Sequence, residues 1–146
     1  MRIRTLSIGL ALVSVVASTI AEPFVLITPD EARLPPLQAT ARRGMTRGPE
    51  IILDSPKPGE LANATLRLRV TFKPHGGVPI DLESVVVRYL RREPVSLNDR
   101  VRKFIKPTGI LIEEARVPPG EHDIEISLRD TDDREAHLVF RLLVKP

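Results

Sequence analysis

Groups that can carry a proton, a bond or a metal are few here, and their spacing is poor for catalysis. The 146 residues hold three histidines, His75, His122 and His137, and no cysteine. No two of the histidines have metal-ligand spacing. Ser55, Ser84, Ser96 and Ser127 stand in no nucleophile-elbow context, and no glycine-rich phosphate cradle is present. Asp130, Asp132 and Asp133, with Glu135 following, could offer oxygen ligands to calcium, yet Asp-rich turns form without metal because Asp bonds its own backbone and tolerates the left-handed region. No catalytic, cofactor-binding or metal-ligating residue is therefore proposed from the sequence, and an enzyme is not expected.

The remaining chemistry is charge. From Arg88 to Lys106 the bases Arg88, Arg91, Arg92, Arg100, Arg102, Lys103 and Lys106 face only Glu93 and Asp99, a net of +5. From Glu113 to Glu135 the balance is reversed, to a net of −6. The two stretches either compensate each other on one folded surface or form a polar docking face. The expected protein contacts are Arg88, Arg91, Arg92, Arg100 and Lys103, because arginine makes directional bonds to carboxylates and phosphates.

The elements that must position these residues are strands. From Asn63 to Phe72, Leu66, Leu68, Val70 and Phe72 alternate with Thr65, Arg67, Arg69 and Thr71, the period of a strand with one buried face. Leu82 to Arg91 repeats the pattern with Val85, Val87 and Tyr89. A closing hairpin follows Pro118-Pro119-Gly120: Ile124, Ile126 and Leu128 on one strand, a turn over residues 130–134, then Leu138, Phe140, Leu142 and Val144. Short strands are expected at Glu50 to Asp54 and Ile110 to Glu114. Between Ser96 and Ile105 the period lengthens, with Leu97, Val101, Phe104 and Ile105 on one face. One short helix is expected there, with Ser96 as its cap and Asp99 as a weak capping-box partner.

Ahead of these strands lie two other segments. Arg2 and Arg4, an apolar run of about 15 residues from Leu6 to Ile20, and small residues at Ala17 and Ala21 have the order of a secretory signal. Residues 1–21 are expected to be removed, leaving Glu22 first; the run is short of the ~20 residues that span a bilayer. Cleavage would leave 20 basic residues against 19 acidic ones, so the high isoelectric point is poor support for a nucleic-acid partner. Residues 22–48 are expected to form an extended or flexible arm, since Pro23, Pro29, Pro35 and Pro36 oppose a stable helix. The alternative is that Phe24, Val25, Leu26 and Ile27 form a docking strand.

Three stretches have a familiar form. Residues 52–59 read Ile-Leu-Asp-Ser-Pro-Lys-Pro-Gly, residues 80–87 read Ile-Asp-Leu-Glu-Ser-Val-Val-Val, and residues 117–130 open Val-Pro-Pro-Gly-Glu-His-Asp-Ile. They resemble bacterial immunoglobulin-like domains of secreted and periplasmic proteins, over roughly residues 49–146. The resemblance implies an all-β, immunoglobulin-like antiparallel β-sandwich of about seven strands with one short helix in a connection. His122, at the start of the penultimate strand, is expected to bond a nearby backbone group as the tyrosine corner of such domains does. The opening is also similar to periplasmic copper carriers, but Glu22-Pro23-Phe24 offers no histidine at the expected N-terminus and Met45 is the only methionine after the signal.

The expected function is a non-catalytic periplasmic or secreted interaction or assembly module, with a protein partner in the cell envelope, no nucleic acid, no cofactor and no membrane anchor once the signal is gone. The alternative is a domain that binds an ion, a glycan or a small molecule. A concave apolar site with converging polar groups would favour the second.

Overall fold

The computed structural model describes residues 23–37 and 47–146. The expected signal peptide and its cleavage site lie outside the described residues. Two sheets pack face to face. The first has the order β1 (Phe24–Val25), β8 (Gly109–Arg116), β4 (Thr65–Lys73), β2 (Glu50–Ser55), with β7 (Ile105–Lys106) also on β8. The second runs β3 (Leu61–Ala62), β10 (Glu135–Val144), β9 (Gly120–Asp130), β5 (Ile80–Tyr89), β6 (Val95–Ser96).

Alternation in the sequence becomes burial in the fold. Leu66, Leu68, Val70 and Phe72 of β4 face Val85, Val87 and Tyr89 of β5 and Ile124, Ile126 and Leu128 of β9 across one core, with Phe140, Leu142 and Val144 of β10. Leu138 is only partly buried, because β10 lies at the side of the sandwich where β3 reaches no further than Leu143 and Val144. The closing hairpin pairs Glu135 with Arg129 through to Val144 with Gly120 without a slip. Its turn has no glycine; Asp133 takes the left-handed conformation, φ 60°, and the Asp130 side chain accepts from the backbone N–H groups of Asp132 and Arg134, each at 2.9 Å.

Strand β8 is longer than its pattern suggests. Leu66 pairs with Ala115 and Leu68 with Ile112, so two residues of β4 span three of β8 and a bulge forms at Glu113-Glu114. The bulge moves the inward positions from Ile110 and Ile112 to Ala115 and Val117, all buried. At the start of β8 the backbone of β4 leaves no room for a side chain. A Cβ on Gly109, whose φ is +142°, would stand 1.9 Å from the Val70 carbonyl oxygen.

The helix differs from expectation. Ser96 belongs to β6, and the helical segment is α2 (Asn98–Val101) continued by a 3₁₀ turn, Arg102–Phe104, with Leu97 at the N-cap and no side-chain cap. Anchoring to β5 replaces capping. The Leu97 N–H donates to the Val87 carbonyl at 2.9 Å. The Asn98 amide extends the sheet, accepting from the Val87 N–H at 2.7 Å and donating to the Val85 carbonyl at 2.8 Å.

The arm follows the alternative reading. Phe24 and Val25 form a strand, pairing parallel with Ala115 and Arg116, and Leu26 and Ile27 are 0% and 1% exposed within the core, so residues 23–37 are packed rather than flexible. Thr28 then caps α1 (Pro29–Ala32) in a capping box, its hydroxyl accepting from the Glu31 N–H at 3.2 Å while its N–H donates to the Glu31 carboxylate at 2.9 Å. Proline at the first helical position is tolerated because that N–H has no helical partner. What outweighs the local breakers is burial of two large aliphatic side chains, worth ~1.5–3 kcal/mol each.

Candidate functional site

The basic stretch holds the arm. Arg100, on α2, clamps Glu31 with both terminal nitrogens, at 2.5 and 2.8 Å, and one of them also donates to the Leu26 carbonyl at 3.0 Å. The two ends of this bidentate pair are 31% and 16% exposed, so water screens it only in part. The Arg100 guanidinium, together with the Thr28 N–H, lowers the Glu31 carboxyl from 4.5 to about 2 against the opposing effect of burial. Arg91 is buried and donates to the Ala32 carbonyl at 3.2 Å. Lys103 caps an aromatic pair, its ammonium 5.0 Å from the Phe104 ring and 5.6 Å from the Phe24 ring, which themselves meet edge to face at 4.9 Å. The Arg92 backbone N–H donates to the Pro35 carbonyl at 2.9 Å, and its side chain makes no hydrogen bond or ion pair among the described residues.

Arg88 is the exception. It pairs with Glu125 of the acidic stretch at 3.2 Å, on the outer face of the second sheet. Of the basic stretch, Arg88 and Arg100 thus meet carboxylates, Glu125 and the arm's Glu31, while Arg91 meets the arm's Ala32 carbonyl and Lys103 its Phe24 ring. The arm's Glu31 was missed as a partner because 69 residues separate it from Arg100.

Beneath the arm lies a buried polar chain. His122 Nε2 donates to the Pro118 carbonyl at 2.7 Å, the backbone bond expected of a corner residue, which leaves Nδ1 to accept from the Tyr89 hydroxyl at 2.9 Å. Arg91 in turn donates to the Tyr89 oxygen and lies against its ring, the guanidinium carbon 4.5 Å from the centroid. Arg91 Nε, by contrast, is buried without a partner among the described residues. Burial, with Arg91 adding to it, lowers the His122 pKa from 6.5 and keeps the ring neutral. Burial also raises the Tyr89 hydroxyl above 10.0, although Arg91 opposes this.

Comparison with family models, with curated proteins and with solved structures returned no match.

The Asp-rich turn is committed to itself. Burial alone would raise the Asp130 carboxyl, but the N–H groups of Arg134 and Asp132 and the Arg134 guanidinium, at 2.9 Å, lower it. Among the described residues no three His, Cys, Asp or Glu side chains are grouped to hold a metal ion. His75 is exposed in its loop, and His137 is exposed on β10 with Glu135 at 3.4 Å. No helix of the described residues is long and apolar enough to cross a membrane.

Among the described residues, open depressions of the size of ligand sites occur on both sides of the sandwich. One, of about 570 Å³, brings Arg69, Lys103 and Lys106 together with Phe104, Ile110 and Leu111. Another, of about 430 Å³, runs between β2 and β10 and is lined by Ile51, Ile52, Leu53, Leu138, Val139 and Phe140.

Proposed function

We propose that this chain is a non-catalytic interaction module of immunoglobulin-like fold, working in the periplasm or outside the cell, and that its basic stretch recognises an extended acidic peptide segment of a protein partner. The observation that carries the reading is the chemistry at β8 and α2. Strand addition at Ala115 and Arg116 is combined with a bidentate clamp by Arg100 on a carboxylate, two ways in which folded domains take hold of peptides. The arm occupies that surface in cis. The fold assignment is supported by strand order: β2, β4 and β8 oppose β10, β9 and β5, and β3 crosses over to pair parallel with β10, as the first strand of immunoglobulin-like sandwiches does when it divides between sheets. Placement in the envelope is supported by the charged, apolar and small-residue order of residues 1–21.

A protease site introduced within residues 41–46 separates the arm from the domain after folding. A labelled synthetic peptide of residues 23–37 should then exchange with the cut arm, bind more weakly as salt rises, and fail to bind a cut Arg100→Glu protein. A cut protein that stays folded, loses its arm and takes up no peptide would sink the reading.

A second reading, binding of a small anionic ligand, is favoured by the 570 Å³ depression, where Arg69, Lys103 and Lys106 converge beside Phe104 and Leu111.

A further inference from the structure

Among the described residues, each hydrogen bond and ion pair that residues 24–36 make beyond themselves goes to residues 91–116: to Arg91, Arg92, Arg100 and Arg116, with β1 paired to Ala115 and Arg116. None goes to β2, β3 or β4, which follow the arm in the chain. Residues 38–46 form the connection. The arm is therefore a discrete plug, two buried aliphatic side chains and a carboxylate, attached through a nine-residue connection to the body that receives it.

We infer that the surface built from Arg91, Arg100, Lys103 and the side of β8 accepts the 24–36 segment of a second copy of this chain, so that two copies exchange arms reciprocally; this rests on the peptide-recognition reading above. The occupant is the second copy because the site already fits that sequence. Leu26 and Ile27 are 0% and 1% exposed, and Glu31 lies where Arg100 can clamp it, so another ligand must reproduce an apolar pair, a turn and a carboxylate at the same spacing. Reciprocal exchange is also a closed two-fold arrangement, which ends at a dimer.

Contacts are the same within one copy and between two, so the connection alone decides which forms. Its span follows from the sheet register. Leu90 bonds the Asp123 carbonyl, and Pro36 bridges Arg91, so the arm ends level with about residue 122 of β9. Gly48 lies against Glu135, which pairs with Arg129. Pro36 and Gly48 are therefore separated by about seven residues along β9, ~23 Å, besides the step from β5 across β9 to β10. From Leu37 to Arg47 the intact chain reaches at most ~36 Å and can close in cis. It holds the arm at an effective concentration of ~mM, so dilute wild-type protein is monomeric. A chain lacking residues 40–45 reaches only ~14 Å and cannot.

Deletion of residues 40–45 should thus give a folded dimer at micromolar concentration, seen by analytical ultracentrifugation. In a second arm of the experiment, Glu31→Arg and Arg100→Glu are placed in separate chains. Each sets like charges face to face within one copy, and reciprocal exchange restores an opposite pair at both sites. The two chains refolded together should sediment as a 1:1 dimer, and each alone as a monomer. A shortened chain that is folded and monomeric, or that does not fold, or a mixture that stays monomeric, overturns arm exchange. If the cut wild-type protein still takes up the labelled peptide, exchange alone has failed; if it does not, the peptide-recognition reading has failed as well.

Discussion

Glu31, held by Arg100, and His122, reached from Arg91 through Tyr89, should give the molecule separate acid transitions. Glu31 ionises at about 2 in the fold against 4.5 free, so its contribution is complete above 4.5 and disappears as pH falls toward 2. By linkage that contribution is at most ~3 kcal/mol, and less once water screens the partly exposed pair. His122 is a base whose pKa is lowered by burial, so the fold favours the neutral ring. Its contribution is complete above 6.5 and declines as pH drops below that value. Urea unfolding should show one loss of stability below pH 6.5 and a second below 4.5. Glu31→Gln should shrink the second step, whose remainder Asp130 carries, leave the first in place, and converge with wild type only below about pH 2. A single step, or an unchanged acid limb in Glu31→Gln, would mean that the Arg100 clamp does not carry the load.

At the scale of elements, burial separates neighbours in the chain. Leu68→Ala and Leu26→Ala should each cost about 2–5 kcal/mol, whereas Arg67→Ala, losing an exposed pair with Glu113, should fall within about ±0.5 kcal/mol. Gly109→Ala should be at least as damaging as the core truncations, since the new methyl meets the Val70 carbonyl. Thermal and urea denaturation of the four variants test the register, and equal effects at Leu68 and Arg67 would refute it. The strands with unbroken alternation, β4, β9 and β10, were legible in the sequence because side-chain direction there follows a period of two. The inward switch on β8 was not, since a bulge changes the parity in mid-strand. The arm was legible only as an alternative: a strand over residues 24–27 was foreseen, but Leu26 bonds an arginine 74 residues away, and the long-range burial that outweighs the prolines is invisible locally. Within the site, the basic residues and the His122 corner were found from sequence, while Glu31, Thr28 and Tyr89 needed the fold to bring them to Arg91 and Arg100.

Across the whole molecule, one core serves two sheets with no cysteine to cross-link them, so closure depends on packing at both ends of the chain. Export with removal of residues 1–21 should yield a species that begins at Glu22. Intact-mass measurement of the secreted protein checks this, and a species retaining Met1 would contradict it. The position of the arm also sets an order in time. Residues 24–36 are made well before the groups that receive them, from Arg91 to Arg116. Until then Leu26 and Ile27 have no core to enter, and the Glu31 carboxylate has no guanidinium. The fold is finished by going back to its own beginning, so a chain halted before Arg116 has every reason to stay open.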